Sequence, residues 1–359
     1  MTSSPIDPDV ARARTPDGGC YGAAAFAAQQ QRLFPRTWHL APIDRQAPEP
    51  GQVLPWTMLP GALDEPLLWT RADDGVVRCL SNVCTHRGNV LYDVAAARTV
   101  IRCGYHGRTF DLRGRMLQAP GFAGARDFPR REDDLAAASI GTWAGFQFAA
   151  LQPAMPFAPW IAPVADLLSA VIQEPLPAAP TRRRDYEFAA NWALYVDNFL
   201  EGLHIPYAHP ALARTLALPE YRYETFAWGT LQIGVARPDE PALELPAAHR
   251  HAQLRVGGYY LWLFPCTMLN VYPWGLSVNI FEPLAPARTR VRYLAYVLRP
   301  ELLGQGAGGA LDTVELEDQG VVVATQRGVH ARLYPRGRYS PEHEGGVHHF
   351  HQLLDRLAH

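Results

Sequence analysis

Short runs of alternating apolar and polar residues fill the chain between residues 37 and 150. They are rich in branched and aromatic residues, and Gly, Asp and Asn separate them; examples are PLLWTR, GVVRCLSN, RTVIRC and RTFDLRG. A period of two places one face of a strand on a core, and the intervening turn formers end each strand. The pattern predicts a small all-β domain over residues 37–150.

A different pattern follows over residues 151–359. It opens with a proline-rich passage, QPAMPFAPWIAPVADL, which is typical of a linker or a domain surface. Residues from Asn191 onward have a helical start, and strand-like runs return in GYYLWLFPCTMLNVYPW, LSVNIFEPLA and RVRYLAYVLRP. Further helices are expected from near Leu311 and at HHFHQLLDRL. This mixture predicts a second domain, so that the chain as a whole is α+β.

The first 36 residues form a separate stretch. Turn formers surround a helix-like segment near Tyr21 to Leu33. We expect residues 1–36 to be an N-terminal helical segment that packs on the second domain.

Composition and charge remove several classes of protein. All 33 basic residues are arginine, so the chain has neither a Schiff-base lysine nor a GxxxxGK[ST] phosphate-binding loop. A net charge of −2 argues against a nucleic-acid-binding protein. The longest apolar runs, such as Leu167–Ile172, are too short to span a bilayer, and the first residues lack the apolar stretch of a signal peptide. We expect a soluble, cytoplasmic protein that binds neither nucleic acid nor membrane.

Two cysteines and two histidines form the first group of candidate metal ligands. Cys84 and His86 are separated by one residue, and 16 residues intervene before Cys103, which His106 follows closely. Such a set fits a structural zinc site or a [2Fe–2S] cluster in which two His replace two Cys on one iron. Zinc sites usually pair residues of one type, whereas here each loop offers one Cys and one His. Each loop can therefore give one ligand to each iron, which favours a Rieske cluster.

The stretch NWALYVDNFLEGLHIPYAHP contains the second group. On a helix, Asp197, Glu201 and His204 would share one face, whereas His209 would lie about 140° from His204. The two imidazoles can meet only if the helix deforms, and Pro206 disfavours helical geometry for the residue before it. Two His and one carboxylate can leave positions open for dioxygen at non-haem Fe(II). The stretch thus predicts a helix that breaks at a metal site.

Both groups lie in segments with a family resemblance. CTHRGNVL and CGYHGRTFDLRG closely resemble the two cluster loops of the Rieske family. DNFLEGLHIPYAHP is a third such segment, and with it the resemblance extends over nearly the whole chain. The chain resembles the catalytic alpha subunit of Rieske non-haem iron oxygenases, most of all the choline and carnitine monooxygenase branch. The family commonly has Trp where this chain has Arg108. The resemblance implies a helix-grip second domain, an antiparallel sheet wrapped on helices, and a [2Fe–2S] cluster held by Cys84, His86, Cys103 and His106.

The resemblance also implies an iron site in the second domain. Mononuclear Fe(II) would be held by His204, His209 and a carboxylate from the late helix LDTVELEDQGVVVATQRG. Asp318 aligns best with the family's carboxylate position, with Glu317 as the near alternative and Glu315 as a remote one.

Glu201 matches the bridging acid of the family. It would accept a hydrogen bond from His204 or from a cluster histidine of a neighbouring subunit. Asp197 and Asn198 would either support the site or only pack the helix.

The implied activity is that of an oxygenase component that uses O2 and two externally supplied electrons to hydroxylate a small organic substrate. Monooxygenation could lead to N- or O-dealkylation. Electrons would come from NAD(P)H through a separate reductase or ferredoxin, because the chain has no flavin or nicotinamide motif, and the subunits would form a homotrimer. The alternatives are an aromatic ring-hydroxylating dioxygenase, a non-catalytic Rieske electron-transfer or redox-sensing protein, and a zinc-stapled binding protein.

Two further patterns bear on substrate and electron donor. Aromatic residues on the second-domain strands could form a cation–π cage for a quaternary ammonium or could be ordinary sheet core: Tyr259, Tyr260, Trp262, Phe264, Tyr272 and Trp274. Arginines outnumber acids around the cluster motifs, which should favour the reduced cluster and attract an acidic donor. They are Arg87, Arg98, Arg102, Arg108, Arg113 and Arg115, against Asp93 and Asp111.

Overall fold

The structure is a computed structural model that describes residues 6–45, 47–172 and 175–358. The chain divides into two compact units. One is Pro35–Phe157, and the other joins the residues from Ala158 onward with those up to Phe34. Within the described ranges, no helix is both long and apolar enough to cross a bilayer.

Short antiparallel strands build the unit Pro35–Phe157. The strands are β1 (His39–Leu40), β2 (Gln52–Met58), β3 (Glu65–Arg71), β4 (Val77–Ser81), β5 (Ala96–Ala97), β6 (Ile101–Arg102), β7 (Thr109–Phe110), β8 (Met116–Gln118), β9 (Ser139–Trp143) and β10 (Phe146–Ala150). The sheet orders are β4-β3-β2-β5, β1-β10-β9 and β6-β7-β8. Their inward side chains form one core that includes two of the candidate ligands: Val53, Leu68, Leu80, Ile101, Phe110, Cys84 and Cys103. The predicted all-β domain is confirmed.

Much of the proline-rich passage, predicted as a linker or a domain surface, forms a helix. After α1 (Ala23–Arg32), the second helix is α2 (Phe157–Ser169), which contains Pro163. Its buried positions recur at helical spacing: Trp160, Ile161, Val164, Leu167 and Leu168. Burial of this apolar stripe outweighs the backbone hydrogen bond that Pro163 cannot donate.

One antiparallel sheet dominates the other unit. Its strands are β11 (Arg182–Phe188), β12 (Arg222–Phe226), β13 (Gly229–Val235), β14 (Val256–Leu263), β15 (Thr267–Tyr272), β16 (Gly275–Ala285) and β17 (Arg288–Val297). Their order in the sheet is β11-β17-β16-β15-β14-β13-β12. The central strands β13 to β15 are buried along their whole length, because side chains on both faces pack against other parts of the protein.

Helices accompany this sheet and carry the second candidate site. They are α3 (Trp192–Phe199), α4 (Ile205–Ala208), α5 (Pro210–Thr215), α6 (Leu311–Gly328) and α7 (Gly345–Ala358). Helix α3 contacts α6 and α7, and α1 also packs on α7. Trp192 anchors α3, since its indole donates to Gln29 of α1 at 3.0 Å and its ring lies 5.6 Å from that of Phe34. The predicted α+β class, with a helix-flanked antiparallel sheet, is confirmed.

Candidate metal centres

The two Cys-His loops share one backbone hydrogen-bond pattern. The carbonyl of Cys84 accepts from the N–H of Gly88 at 3.0 Å, and that of Cys103 accepts from Gly107 at 3.1 Å. In both loops the cysteine N–H also donates to the carbonyl five residues on, at 2.8 and 2.9 Å. Gly88 and Gly107 have φ of 69° and 73°, a left-handed conformation that glycine adopts at little cost. Two separate segments are thus bent into equivalent turns.

These turns bring the four predicted cluster ligands together. The rings of His86 and His106 lie 4.7 Å apart, and both thiols are buried. Burial raises the pKa of the Cys84 thiol, although Arg108 acts in the opposite direction. Burial has the same effect on Cys103, but hydrogen bonds to its sulfur outweigh burial and lower the pKa of that thiol overall; the strongest comes from Tyr105 N–H, 3.4 Å from Sγ. Two thiols, two imidazoles and N–H donors aimed at sulfur suit a [2Fe–2S] cluster with mixed ligands.

Ion pairs compensate part of the positive charge of the arginines around these loops. Arg113 pairs with Asp73 at 2.6 Å and Asp74 at 3.1 Å, and Arg108 is buried 3.7 Å from Asp133. The exposed positive surface is carried by Arg87, Arg98, Arg102 and Arg115.

In the other unit, the helix breaks earlier than the spacing indicates. Helix α3 ends at Phe199, so Glu201 and His204 follow it rather than share its face. Asp197 remains on α3, where it accepts a hydrogen bond from Tyr21 at 3.1 Å and lies 2.9 Å from His351. Asp197 therefore ties α3 to the N-terminal segment and α7 and lies outside the group of candidate metal ligands.

The break allows the two imidazoles to converge. His209 lies at the junction of α4 and α5, with non-helical φ and ψ of −122° and 70°. Its ring centroid is 5.0 Å from that of His204. Asp318 of α6 reaches both, with Oδ1 2.9 Å from His209 Nε2 and 3.6 Å from His204 Nε2. One ligand atom from each of the three lies within 4.8 Å of the others, so these residues could hold a metal ion.

A carboxylate holds the outer nitrogen of each imidazole. His204 Nδ1 lies 2.5 Å from Glu201, and His209 Nδ1 lies 2.7 Å from Glu317. Each carboxylate accepts a hydrogen bond from Nδ1–H, which leaves Nε2 directed at the common point. Glu317, weighed from the sequence only as a ligand, thus occupies an orienting position that mirrors Glu201.

Glu315, a third acid of helix α6, lies away from the imidazoles. Glu315 is buried, accepts hydrogen bonds from the hydroxyls of Tyr195 and Tyr293, and accepts another from Gln319 at 2.8 Å. Burial raises its pKa to about 7. Asn198, by contrast, donates to Asp318 at 2.5 Å and thereby steadies that carboxylate.

The carboxylates make the converging group attractive to a cation. Burial alone would lower the pKa of His209, but the hydrogen bonds and charges of Asp318 and Glu317 outweigh burial and raise it. The same negative potential favours a divalent metal ion between the two Nε2 atoms.

A cavity of about 80 Å³ opens beside this group. Several aromatic and amide side chains line it: Phe199, Tyr221, Tyr260, Tyr272, Tyr293, Gln232, Asn270 and Asn279. A larger cavity of about 450 Å³ shares Tyr293 and Leu311 in its lining and extends to strand β11. Within the described part of the chain, the buried Tyr260 hydroxyl and Asn270 Oδ1 have no hydrogen-bond partner.

Only part of the predicted aromatic group reaches this cavity. Tyr260 and Tyr272 line it, whereas Trp274 lines the larger one. Tyr259 instead contacts His251 at 2.8 Å, and Trp262 packs on Phe350 of α7. Phe199, Tyr221 and Tyr293 also line the cavity but were not predicted from the sequence, because they come from three separate segments that only the fold brings together.

Comparison with known families places the chain. A model of the ring hydroxylating alpha subunit (catalytic domain) matches residues 178–359, and a model of the Rieske [2Fe-2S] domain matches residues 52–129. The chain belongs to the ring-hydroxylating alpha subunits of the Rieske non-haem iron oxygenases. It therefore has a Rieske [2Fe–2S] domain and a catalytic domain that binds mononuclear iron, and both predicted cofactors are confirmed.

Similar proteins match this chain over almost its full length. The chain is 28% identical to the carnitine monooxygenase oxygenase subunit of Escherichia coli K12, over 93% of this chain and 90% of the relative. It is 27% identical to the chloroplastic choline monooxygenase of Arabidopsis thaliana, over 97% of this chain and 84% of the relative. A solved quaternary ammonium Rieske monooxygenase, described for carnitine oxidation by gut microbiota, matches with a TM-score of 0.78 and 26% identity, over 98% of this chain and 97% of that one.

The glycine turns of the Cys-His loops can be tested directly. Gly88→Ala should destabilise the Rieske domain by about 1 to 2 kcal/mol, because an alanine side chain is strained in the left-handed conformation. Gly104→Ala is the matched control, since Gly104 lacks a positive φ and an added Cβ meets nothing within 4 Å at either site. Urea unfolding followed by visible absorption of the cluster measures both, and equal midpoints would contradict this account of the turns.

Proposed function

We propose that this alpha subunit is a monooxygenase whose small substrate carries a cationic nitrogen of the quaternary ammonium kind. The observation that carries the proposal is the cavity beside His204, His209 and Asp318, whose walls combine aromatic rings with carboxylates. Both groups attract a cation that has lost its hydration shell. The solved structure described as a quaternary ammonium Rieske monooxygenase supports the same substrate class.

Tyr260 is the centre of the aromatic wall. Its ring lies 5.9 Å from that of Tyr272, 6.4 Å from Tyr221 and 6.5 Å from Phe199. A single ring contacts only one side of a trimethylammonium-type group, whereas several rings around one cavity can surround it. The unpartnered Tyr260 hydroxyl and Asn270 Oδ1 can hydrogen-bond to a second, polar group of the same substrate.

We assign the ligands as follows. Cys84, His86, Cys103 and His106 hold the cluster, and His204, His209 and Asp318 hold the iron. When bound, these groups supply single electrons and open coordination positions for O2. Glu201 and Glu317 keep the two Nδ1 protons in place, and Asn198 keeps Asp318 oriented toward the imidazoles.

Partners follow from the same proposal. Electrons come from NAD(P)H through a separate reductase or ferredoxin. The working unit is a homotrimer in which Glu201 lies beside a neighbouring copy. Apolar side chains exposed around the iron-ligand segments support a covered surface there: Leu203 is 42% exposed, Leu316 60% and Tyr207 84%.

Iron content distinguishes a ligand from an orienting acid. The wild-type chain should hold about three irons, two in the cluster and one mononuclear. Asp318→Asn should hold about two, because a neutral amide is a weaker iron ligand than the carboxylate it replaces. Glu317→Gln should hold about three at saturating iron, with affinity about 10- to 100-fold lower. Iron and sulfide analysis checks this. If only Glu317→Gln lost the mononuclear iron, Glu317 would be the ligand and Asp318 the orienting acid.

Turnover tests Glu201 separately. Glu201→Gln should retain both metals and reduce turnover about 10- to 100-fold, because the amide oxygen still accepts the hydrogen bond from His204 Nδ1–H but carries no charge. Glu220→Gln, an exposed change nearby, is the control and should keep wild-type turnover. Full activity of Glu201→Gln would remove this residue from the mechanism.

Substrate class is tested with a surrogate reductase and a panel of quaternary amines and aromatic acids. Quaternary amines should give coupled oxygen uptake and a product with one added oxygen, or a dealkylated amine with an aldehyde. Turnover confined to aromatic acids, with both oxygen atoms in the product, would instead indicate a ring dioxygenase.

A further inference from the structure

The side chain of Arg108 is enclosed in the Rieske domain. It is only 3% exposed, although a guanidinium is costly to bury. Its guanidinium carbon lies 4.9 Å from the ring centroid of Phe122 and 5.2 Å from that of Phe128. The two rings stack on each other with centroids 5.0 Å apart, so the cation packs over an aromatic pair.

Arg108 also joins the two ligand loops. Its backbone carbonyl accepts the N–H of Cys103 at 2.9 Å, which closes the second loop. Its Nη1 donates to the hydroxyl of Thr85 at 3.0 Å, and Thr85 lies between the two ligands of the first loop. Thr85 in turn donates to the carbonyl of Asp133 at 2.7 Å. One residue therefore contacts both loops, through its backbone on one side and its side chain on the other.

The charge of Arg108 is incompletely balanced. Asp133 is the carboxylate paired with it, at 3.7 Å, and that carboxylate also accepts the N–H of Arg130 at 2.8 Å. Arg108 Nε is buried and has no hydrogen-bond partner among the described residues. A buried cation with a spare donor is favourable where negative charge lies close by, as on a cluster with two thiolate ligands.

We propose that Arg108 is a positioning and potential-setting residue of the cluster, which raises its reduction potential and fixes the two ligand loops relative to each other. The cluster gains one negative charge on reduction, and a buried, weakly screened cation stabilises that state. Exposed arginines in the same region act through water and contribute far less. The inference concerns the Rieske domain alone and is independent of the proposed substrate.

The test is a spectroelectrochemical titration of the purified full-length protein, with electron paramagnetic resonance of the reduced cluster. Arg108→Gln should shift the midpoint potential to more negative values. At a fixed potential, the ratio of reduced to oxidised cluster should fall by on the order of tenfold. Arg108→Lys, which keeps the charge, should retain most of the wild-type midpoint but change the resonance spectrum, because it loses the planar contacts. Arg87→Gln is the matched control, since Arg87 is exposed and follows a ligand directly.

Salt separates the two positions further. Any shift from Arg87→Gln should vanish at high ionic strength, whereas that from Arg108→Gln should persist. If Arg108→Gln fails to hold a cluster, Arg108→Trp replaces it as the neutral variant, compared with Arg108→Lys. Equal midpoints for neutral and charged variants at residue 108, with intact clusters, would overturn the proposal.

Discussion

The catalytic unit depends on the convergence of two imidazoles and one carboxylate from distant parts of the chain. His204 and His209 approach each other only because α3 ends at Phe199 and the backbone leaves helical geometry at His209. Asp318 meets them from α6, more than one hundred residues later. The packing of α3 on α6 therefore fixes the site, and the aromatic cavity forms where the sheet faces the same point.

Carboxylates set the orientation of this group as well as its charge. Glu201 and Glu317 each accept a hydrogen bond from an Nδ1–H, so both rings direct Nε2 inward. Glu315, on the same helix, instead lies buried against two tyrosine hydroxyls with its pKa raised to about 7. Glu315, Glu317 and Asp318 lie within four residues of α6 but have three different surroundings. Each step along a helix turns the side chain by about 100°, so the three carboxylates point in different directions.

The two Cys-His loops are shaped mainly by local interactions. Each is closed by hydrogen bonds within its own six residues and by a glycine in the left-handed conformation. The loops then need only a rigid β scaffold and a contact between them. Arg108 supplies that contact, since its backbone closes one loop while its guanidinium reaches Thr85 in the other. In the Rieske domain, a local motif and one long side chain bring the candidate ligands together. In the catalytic unit, the packing of distant helices does so.

The sequence by itself determined the features that are local. The Cys-His pairs, the histidines five residues apart and the strand patterns identify the family and the α+β class, because spacing and alternation directly express turn and strand geometry. Tertiary structure alone decided which acid of α6 faces the imidazoles, that Tyr260 rather than Tyr259 lines the cavity, and that the proline-rich passage forms α2. These depend on the rotation of a helix and on which face of a strand is covered, and packing between distant segments sets both.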